Sequence, residues 1–301
     1  MDVKRLDWIK LAITTTNEAS EAVINLLLEN GAGGVQIEDE QDLDNIVLAT
    51  YFQADSPLNE LTSELEQKIK DLSRFGLEPG QAKVELATLD DANWIDVWKK
   101  YYHPVRLTRY LTIVPSWEGY TPVDQDEKVI VLDPGRAFGT GTHPTTRLAL
   151  QALETVIRGG ETLIDVGTGS GVLSIAARYL GVGPIFAYDV DEVAVSAAKE
   201  NFELNQMTKD IVLAPNDLLS GIDQKVDLIT ANILAEIIEP LIPQAVTCLR
   251  PGGIFITSGI IKDKKDQIVT KLTAHGFVVD QILNMKDWYA VISHVPGEDE
   301  D

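Results

Sequence analysis

Residues 163–177 read LIDVGTGSGVLSIAA, and this stretch decides how the rest of the chain is interpreted. It begins with a short apolar run, which is typical of a strand buried on both faces. Glycines then stand at every second position, at Gly167, Gly169 and Gly171. Because glycine lacks a Cβ atom, such a turn can take unusual dihedral angles and lie against a ligand. Apolar residues then recur at helical spacing, so the stretch predicts a strand, a turn and a helix.

The following strand indicates what this turn binds. Residues 184–188 are mostly apolar and end at Asp189, and an acid at the carboxyl end of such a strand can accept the hydroxyls of a ribose. The dinucleotide pattern G-x-G-x-x-G would need glycine at position 172, where this chain has Val172. The pattern D-x-G-x-G-x-G instead resembles the motif of class I S-adenosylmethionine (AdoMet) methyltransferases. There are two alternatives to AdoMet binding: a nicotinamide cofactor, or a glycine-rich turn in some other α/β domain.

The length of 301 residues predicts two domains rather than one. No apolar run reaches the length of a membrane span, and the first residues lack the apolar stretch of a secretory signal. The single cysteine, Cys248, has no partner for an internal disulfide. We therefore expect a cytoplasmic protein with no membrane contact.

The net charge of −22 narrows the range of partners. Nucleic-acid binders need a basic footprint, and none is visible, so we expect no direct nucleic-acid contact. Residues 1–90 contain 7 Lys and Arg against 18 Asp and Glu, which is more than twice the charge density of the remainder. Such an acidic region would steer toward a basic partner, although solubility alone is an alternative explanation.

The first 90 residues predict a β-α-β-β-α-β series, which is the order of a ferredoxin-like domain. The predicted strands are residues 6–13, 35–37, 46–52 and 83–89, and the predicted helices begin at Asn17 and Pro57. No histidine, cysteine or glycine-rich loop coincides there with a carboxylate pair. We interpret residues 1–90 as a substrate-recognition domain, 91–104 as a connecting helix or linker and 105–301 as the catalytic domain.

Residues 105–114 and 128–132 predict two strands at the entrance to the second domain. Residues 132–146 follow with three glycines and four threonines, and His143-Pro144 suits a helix start. The free N–H groups of a helix start could accept the methionine carboxylate of AdoMet, whereas a capped loop is the structural alternative. His143 could also act as a base or a metal ligand. Since no second histidine or cysteine stands at ligand spacing, we predict no metal.

The remainder of the chain completes an α/β sheet. Strands are predicted at 211–214 and 226–231, followed respectively by Asn216-Asp217, suited to an adenine ring, and by Asn232. A helix to Leu249, a strand at 254–256, a helix over 262–275 and a hairpin of 277–283 with 288–293 follow. The fold class we predict is α/β, a Rossmann-like domain with a mostly parallel seven-stranded sheet.

Three motifs together resemble one family within this class. They are Asp133-Pro134-Gly135 with residues 138–146, then residues 165–171, then Asn232-Ile233-Leu234. They are similar to those of the ribosomal protein L-eleven methyltransferase family. The resemblance implies AdoMet-dependent methylation of lysine ε-amines and the N-terminal α-amine of the eleventh large-subunit ribosomal protein, up to trimethylation. The substrate partner would then be a basic ribosomal protein.

The resemblance also implies cofactor contacts. Thr146 would meet the methionine end, Gly167 would lie against the cofactor with Gly169 in the same turn, Asp189 would hold the ribose, and Asn232 would lie beside the methyl group. We expect Asn232 to orient the amine, and we identify no general base. Many amine-directed methyltransferases carry two prolines and an aromatic residue after this position. Their absence here argues against base methylation, because no ring is offered to a flipped base.

Two other functions remain alternatives at this point. A nicotinamide-dependent oxidoreductase would share the glycine turn and Asp189, but it leaves Asn232 and the threonine-rich segment unexplained. A non-catalytic AdoMet-binding protein would bind the cofactor without transferring its methyl group. The sequence leaves open which lysines are modified, whether free or assembled substrate is preferred, and the oligomeric state.

Overall fold

The computed structural model describes residues 8–30, 35–39, 46–53, 58–75, 77–89, 102–133 and 143–298. Its contacts divide the chain into two compact units, Met1–Tyr101 and Tyr102–Asp301. The predicted connecting helix falls largely on residues 90–101, and the centre of the threonine-rich segment on residues 134–142. Both lie outside the described residues, so both stay predictions.

The first unit contains a four-stranded sheet whose neighbouring strands all run antiparallel, in the order β2-β3-β1-β4. Its elements are β1 (Trp8–Thr15), α1 (Asn17–Glu29), β2 (Gln36–Asp39), β3 (Ile46–Gln53), α2 (Leu58–Asp71), a 3-10 turn (Leu72–Phe75) and β4 (Lys83–Leu89). Leu11 and Ile13 of the sheet are buried with Leu27 and Leu65 of the helices. The β-α-β-β-α-β order agrees with the sequence pattern, and it favours the ferredoxin-like interpretation.

The second unit begins with a separate three-stranded sheet of β5 (Val105–Arg106), β6 (Leu111–Pro115) and β7 (Lys128–Leu132). The single strand predicted over residues 105–114 is therefore wrong. The reason is local, because the Thr108 hydroxyl accepts hydrogen bonds from the amides of Tyr110 and Leu111 and bends the chain. Side-chain oxygens of threonine commonly compete with strand pairing in this way.

The main sheet of the second unit has seven strands in the order β10-β9-β8-β11-β12-β14-β13. The pairs from β10 to β12 are all parallel, whereas β14 pairs antiparallel with β12 on one side and with β13 on the other. This confirms the predicted Rossmann-like fold class. The elements are α3 (Pro144–Val156), β8 (Leu163–Val166), α4 (Val172–Tyr179), β9 (Ile185–Asp189), α5 (Glu192–Leu204), β10 (Val212–Pro215), β11 (Val226–Asn232), α6 (Ala235–Cys248), β12 (Leu249–Ile261), α7 (Lys262–Ala274), β13 (Val278–Met285) and β14 (Trp288–His294).

Strand β12 is much longer than the 254–256 segment that its apolar run predicts. It passes through Gly259, where the pairing with β14 shifts register between Ser258 and Ile260. Glycine inside a strand often marks such an irregularity. The shift occurs beside the carboxyl end of β11, which pairs with β12 as far as Ser258.

The strand order fixes where a ligand can bind. From β8 the chain moves outward in one direction to β9 and β10, and then returns to the other side of β8 as β11. Parallel α/β sheets bind ligands at the carboxyl ends of the strands where this direction reverses. The ends of β8, β9 and β11 therefore define the candidate site.

Candidate functional site

A cavity of about 580 Å³ lies at these strand ends, within the size range of small-molecule and cofactor sites. Its walls are formed by the start of α3, the glycine turn, the ends of β9, β10 and β11, and one residue each from β12 and β14. The lining residues are His143, Thr145, Val166, Gly167, Thr168, Gly169, Val172, Leu173, Asp189, Val190, Asp191, Ala194, Asn216, Asp217, Leu218, Asn232, Ile233, Leu234, Ile237, Gly259 and Trp288.

The glycine turn forms the floor of this cavity. Gly167, Gly169 and Gly171 all have positive φ, at 69°, 55° and 80°, a region that other residues rarely enter. The amide of Gly167 donates to the carbonyl oxygen of Tyr188 over 2.8 Å. A Cβ atom on Gly167 would lie 2.4 Å from Cγ2 of Ile233, so only glycine allows the turn to approach the β11 end this closely.

Asp189 presents a rigid carboxylate to the same cavity. Its Oδ2 accepts a hydrogen bond from the Gly169 amide at 2.8 Å, and its Oδ1 accepts one from the Asp191 amide at 3.0 Å. A carboxylate has about four acceptor positions. The remaining positions are available to ligand hydroxyls, as the predicted ribose role requires.

Asn232 ends β11 on the cavity wall. Its Nδ2 donates to Oγ1 of Thr146 over 3.3 Å. Its Oδ1 is buried and has no hydrogen-bond partner among the residues that the structure describes. Thr146 is itself fully buried and lies behind the wall. Its predicted contact with the methionine end of AdoMet stays a prediction, and what the structure displays is its contact with Asn232.

The helix start predicted at His143-Pro144 is confirmed. His143 caps α3, and its Nδ1 accepts from the Thr145 amide over 3.4 Å. Its ring packs edge-on against Trp288 with the ring centroids 5.0 Å apart. Burial lowers the pKa of His143 and so favours the neutral ring. We expect the imidazole ring to form part of the cavity wall as an uncharged surface.

Trp288 and Gly259 are among the wall residues that the sequence reasoning missed. Trp288 opens the last strand, and its apolar pattern only indicated that the sheet closes there. Gly259 interrupts a strand, and an isolated glycine in a strand can mark a close backbone approach. The glycine is visible in the sequence, but the sequence does not show which segment approaches it. Asn216 and Asp217, predicted for the adenine end, do line the cavity.

Asp165, the first residue of the glycine motif, lies beneath the cavity and is fully buried. Its Oδ2 accepts from the hydroxyls of Thr168 and Ser174, each over 2.7 Å. Burial is the largest effect on this group and raises the pKa of Asp165 from about 3.8 to about 6, despite those two hydrogen bonds, while the charge of Asp189 raises it further.

This shift predicts an unusual dependence of stability on pH. Because the folded state holds the proton more tightly than the unfolded chain, the contribution of Asp165 to the free energy of unfolding should fall by about 3 kcal/mol as pH rises from about 4 to about 6. The same fall should be missing from Asp165→Asn, which cannot ionise. Urea unfolding of both proteins across this range measures it. The other titratable groups are the same in both proteins and cancel in the difference, so equal slopes would contradict the burial argument.

No group of three or more His, Cys, Asp or Glu residues that could hold a metal ion is found within the described ranges. The absence of a metal therefore stays a prediction. In the same part of the chain, none of the helices has both the length and the apolar character needed to cross a bilayer.

The wall residues fit AdoMet on three observations. Gly167 and Gly169 line the cavity without a side chain and with positive φ, so a ligand can lie against their backbone. A fixed carboxylate stands at the end of β9, as ribose hydroxyls require. A buried amide oxygen without a partner among the described residues stands at the end of β11, where a polar group of a ligand or substrate would satisfy it.

Comparison with known proteins agrees with this geometry. Residues 7–295 match the family model described as ribosomal protein L11 methyltransferase (PrmA). Proteins named ribosomal protein L11 methyltransferase from Levilactobacillus brevis and Enterococcus faecalis are 52% and 50% identical to this chain. Each alignment covers 98% of this chain and 100% of the relative.

A solved structure leads in the same direction. The crystal structure of ribosomal protein L11 methylase from Lactobacillus delbrueckii subsp. bulgaricus has a TM-score of 0.62 and 42% sequence identity. The match covers 65% of this chain and 100% of that one. AdoMet, the methyl donor of class I methyltransferases, is thus the cofactor of this site. The chain belongs to the ribosomal protein L11 methyltransferase family.

Proposed function

We propose that this chain transfers methyl groups from AdoMet to amines of ribosomal protein L11, the substrate that the names of its relatives give. The observation that carries the proposal is Asn232, a wall residue at the end of β11 whose buried Oδ1 has no partner among the described residues. An amine N–H can donate to this oxygen.

Methyl transfer to an amine needs the neutral form. A free lysine has a pKa near 10.4, so its neutral form costs about 4.6 kcal/mol at pH 7. AdoMet supplies a methyl group activated on a positively charged sulfur. The apolar side chains of Leu234 and Ile237 line the same wall, and an apolar surrounding lowers the pKa of a lysine by desolvation. Asn232 would then aim the nitrogen lone pair, which is catalysis by positioning.

The finer parts of the proposal concern the substrate. We propose lysine ε-amines and the N-terminal α-amine as the acceptors, with up to three methyl groups on each. The acidic residues of 1–90 would recruit a basic protein, with 91–104 as the connector and 105–301 as the catalytic part. Charge complementarity mainly raises the association rate, so recruitment should weaken with salt. A partner of this kind also favours action in the cytoplasm, where ribosomal proteins are made.

The test is to incubate the chain with methyl-labelled AdoMet and purified L11, and to measure the intact mass of L11. Mass increases in steps of one methyl group, located on amines by fragmentation, support the proposal. If AdoMet binds but no protein gains label, the chain is a non-catalytic AdoMet binder. Label that appears on RNA, or on other proteins in an extract but not on L11, would contradict the proposed substrate.

A nicotinamide cofactor is tested in parallel by titrating NAD and NADP against the fluorescence of the chain. Trp288 lies on the cavity wall and serves as the reporter. We expect a saturable change with S-adenosylhomocysteine (AdoHcy), the demethylated product, and none with the dinucleotides.

A further inference from the structure

Two asparagines at the C-terminal end of α5, Asn201 within the helix and Asn205 as its C-cap, are almost completely buried, although asparagine is usually a surface residue. Asn201 and Asn205 are each 1% exposed. Neither lines the cavity. Buried amides are retained where their hydrogen bonds are all satisfied, so their partners indicate their role.

Asn201 joins two elements that are distant in sequence. Its Oδ1 accepts from the backbone amide of Asp133 over 2.7 Å, directly after β7. Its Nδ2 donates to the backbone carbonyl of Ser170, in the glycine turn, over 2.9 Å. Because one partner can only donate and the other can only accept, the orientation of the amide is fixed.

Asn205 binds β7 but not the glycine turn. Its Oδ1 accepts from the Val131 amide over 3.1 Å, and its Nδ2 donates to the Val131 and Asn201 carbonyls, each over 2.7 Å. The hydroxyl of Tyr179 lies 3.4 Å from the same Oδ1. Asn205 therefore attaches the edge of β7 to α5, as a neighbouring strand would.

The glycine turn also packs against α5 through an apolar contact. A Cβ atom on Gly171 would lie 2.5 Å from Cε1 of Phe202, the residue next to Asn201. The turn thus rests on α5 through one hydrogen bond to Ser170 and one ring contact at Gly171. On the other side, the Gly169 amide donates to the Asp189 carboxylate. A shift of the turn would therefore also displace Asp189, which faces the ligand.

From these contacts we propose that Asn201 is a positioning residue for AdoMet, which fixes the glycine turn through the Ser170 carbonyl and joins it to the end of β7. Nothing in this role requires Asn201 to touch the ligand. The proposal rests on the AdoMet site and not on which protein is methylated. Binding of AdoHcy tests it whether or not L11 proves to be the substrate.

The experiment compares Asn201→Ala with Asn205→Ala in the full chain. Asn205→Ala removes at least as many hydrogen bonds, so it should lower the urea midpoint as much or more. Only Asn201→Ala leaves the buried Ser170 carbonyl without its asparagine donor, which should weaken AdoHcy binding in calorimetry about tenfold. KM for AdoMet should rise with it, while kcat stays within about threefold of the wild-type value.

Asn201→Asp is the second variant, in case the alanine variant does not fold. It is nearly isosteric and keeps the acceptor for the Asp133 amide, but it places an oxygen against the Ser170 carbonyl. It should also weaken AdoHcy binding by about tenfold or more. The proposal is overturned if both Asn201 variants bind AdoHcy as the wild type does. It is equally overturned if Asn205→Ala weakens binding as much as Asn201→Ala, since the effect would then follow stability alone.

Discussion

Asn232→Ala is expected to lower kcat for methyl transfer by about a hundredfold or more, because loss of an orienting contact at a reacting centre typically costs this much. The amide oxygen is the buried acceptor at the end of β11, and alanine offers nothing to aim the amine. The glycine turn and Asp189 remain in place, so AdoHcy affinity should fall much less than kcat. Single-turnover rates and calorimetry measure the two effects separately.

Asn216→Ala is the matched control, since Asn216 is a second asparagine on the same cavity wall. Its side chain donates to the carbonyls of Leu218 and Ser220, at the end predicted for the adenine. We expect weaker AdoHcy binding with kcat nearly unchanged. A reversed pattern, with Asn216→Ala losing turnover and Asn232→Ala losing affinity alone, would remove Asn232 from the methyl-transfer step.

Asn232→Asp separates orientation from charge. The carboxylate keeps an acceptor oxygen, but its negative charge stabilises the ammonium form of the substrate and raises the pKa of that amine. The rate of this variant should therefore go on rising with pH after the wild-type rate has levelled off, so its deficit shrinks at high pH, whereas the deficit of Asn232→Ala should stay constant. Parallel pH profiles for the two variants would argue that the oxygen does not contact the amine.

Much of the second unit could be predicted because its signals are local. The apolar run before Gly167 and the cap at His143-Pro144 each depend on a few neighbouring residues, and both appear where the pattern places them. Residue types also indicated the cavity wall, since Gly167, Asp189 and Asn232 stand at strand ends that a parallel sheet brings together. The resemblance of the motifs to known methyltransferases then indicated AdoMet as the cofactor.

Contacts between distant segments could not be predicted in the same way. Nothing near Asn201 in the sequence indicates Asp133 or Ser170 as its partners. The split of residues 105–114 depends on one threonine hydroxyl that competes with strand pairing. The raised pKa of Asp165 likewise comes from its burial, which is a property of the packed sheet and not of the motif.

Gly259 is the clearest example of such a distant contact, and its substitution should have the second large effect. It lies in β12 with φ at +89°, and an added Cβ would stand 2.2 Å from the carbonyl oxygen of Ile233 and 2.9 Å from the carbonyl carbon. Neither backbone atom can move without displacing its neighbour Asn232. Gly259→Ala should therefore lower kcat by about a hundredfold, the usual cost of a misplacement near 1 Å, and should also lower the urea midpoint.

Gly276→Ala separates this contact from backbone strain. Gly276 has φ at +87°, almost equal to that of Gly259, but no heavy atom lies within 4 Å of its added Cβ. Both alanine variants carry the left-handed strain of roughly 1–2 kcal/mol, and only Gly259→Ala also presses on the Asn232-Ile233 backbone. We expect Gly276→Ala to lose stability but keep its kcat. If the two variants lose turnover equally, the loss comes from backbone strain that they share. The contact between Gly259 and the Ile233 carbonyl would then not position Asn232.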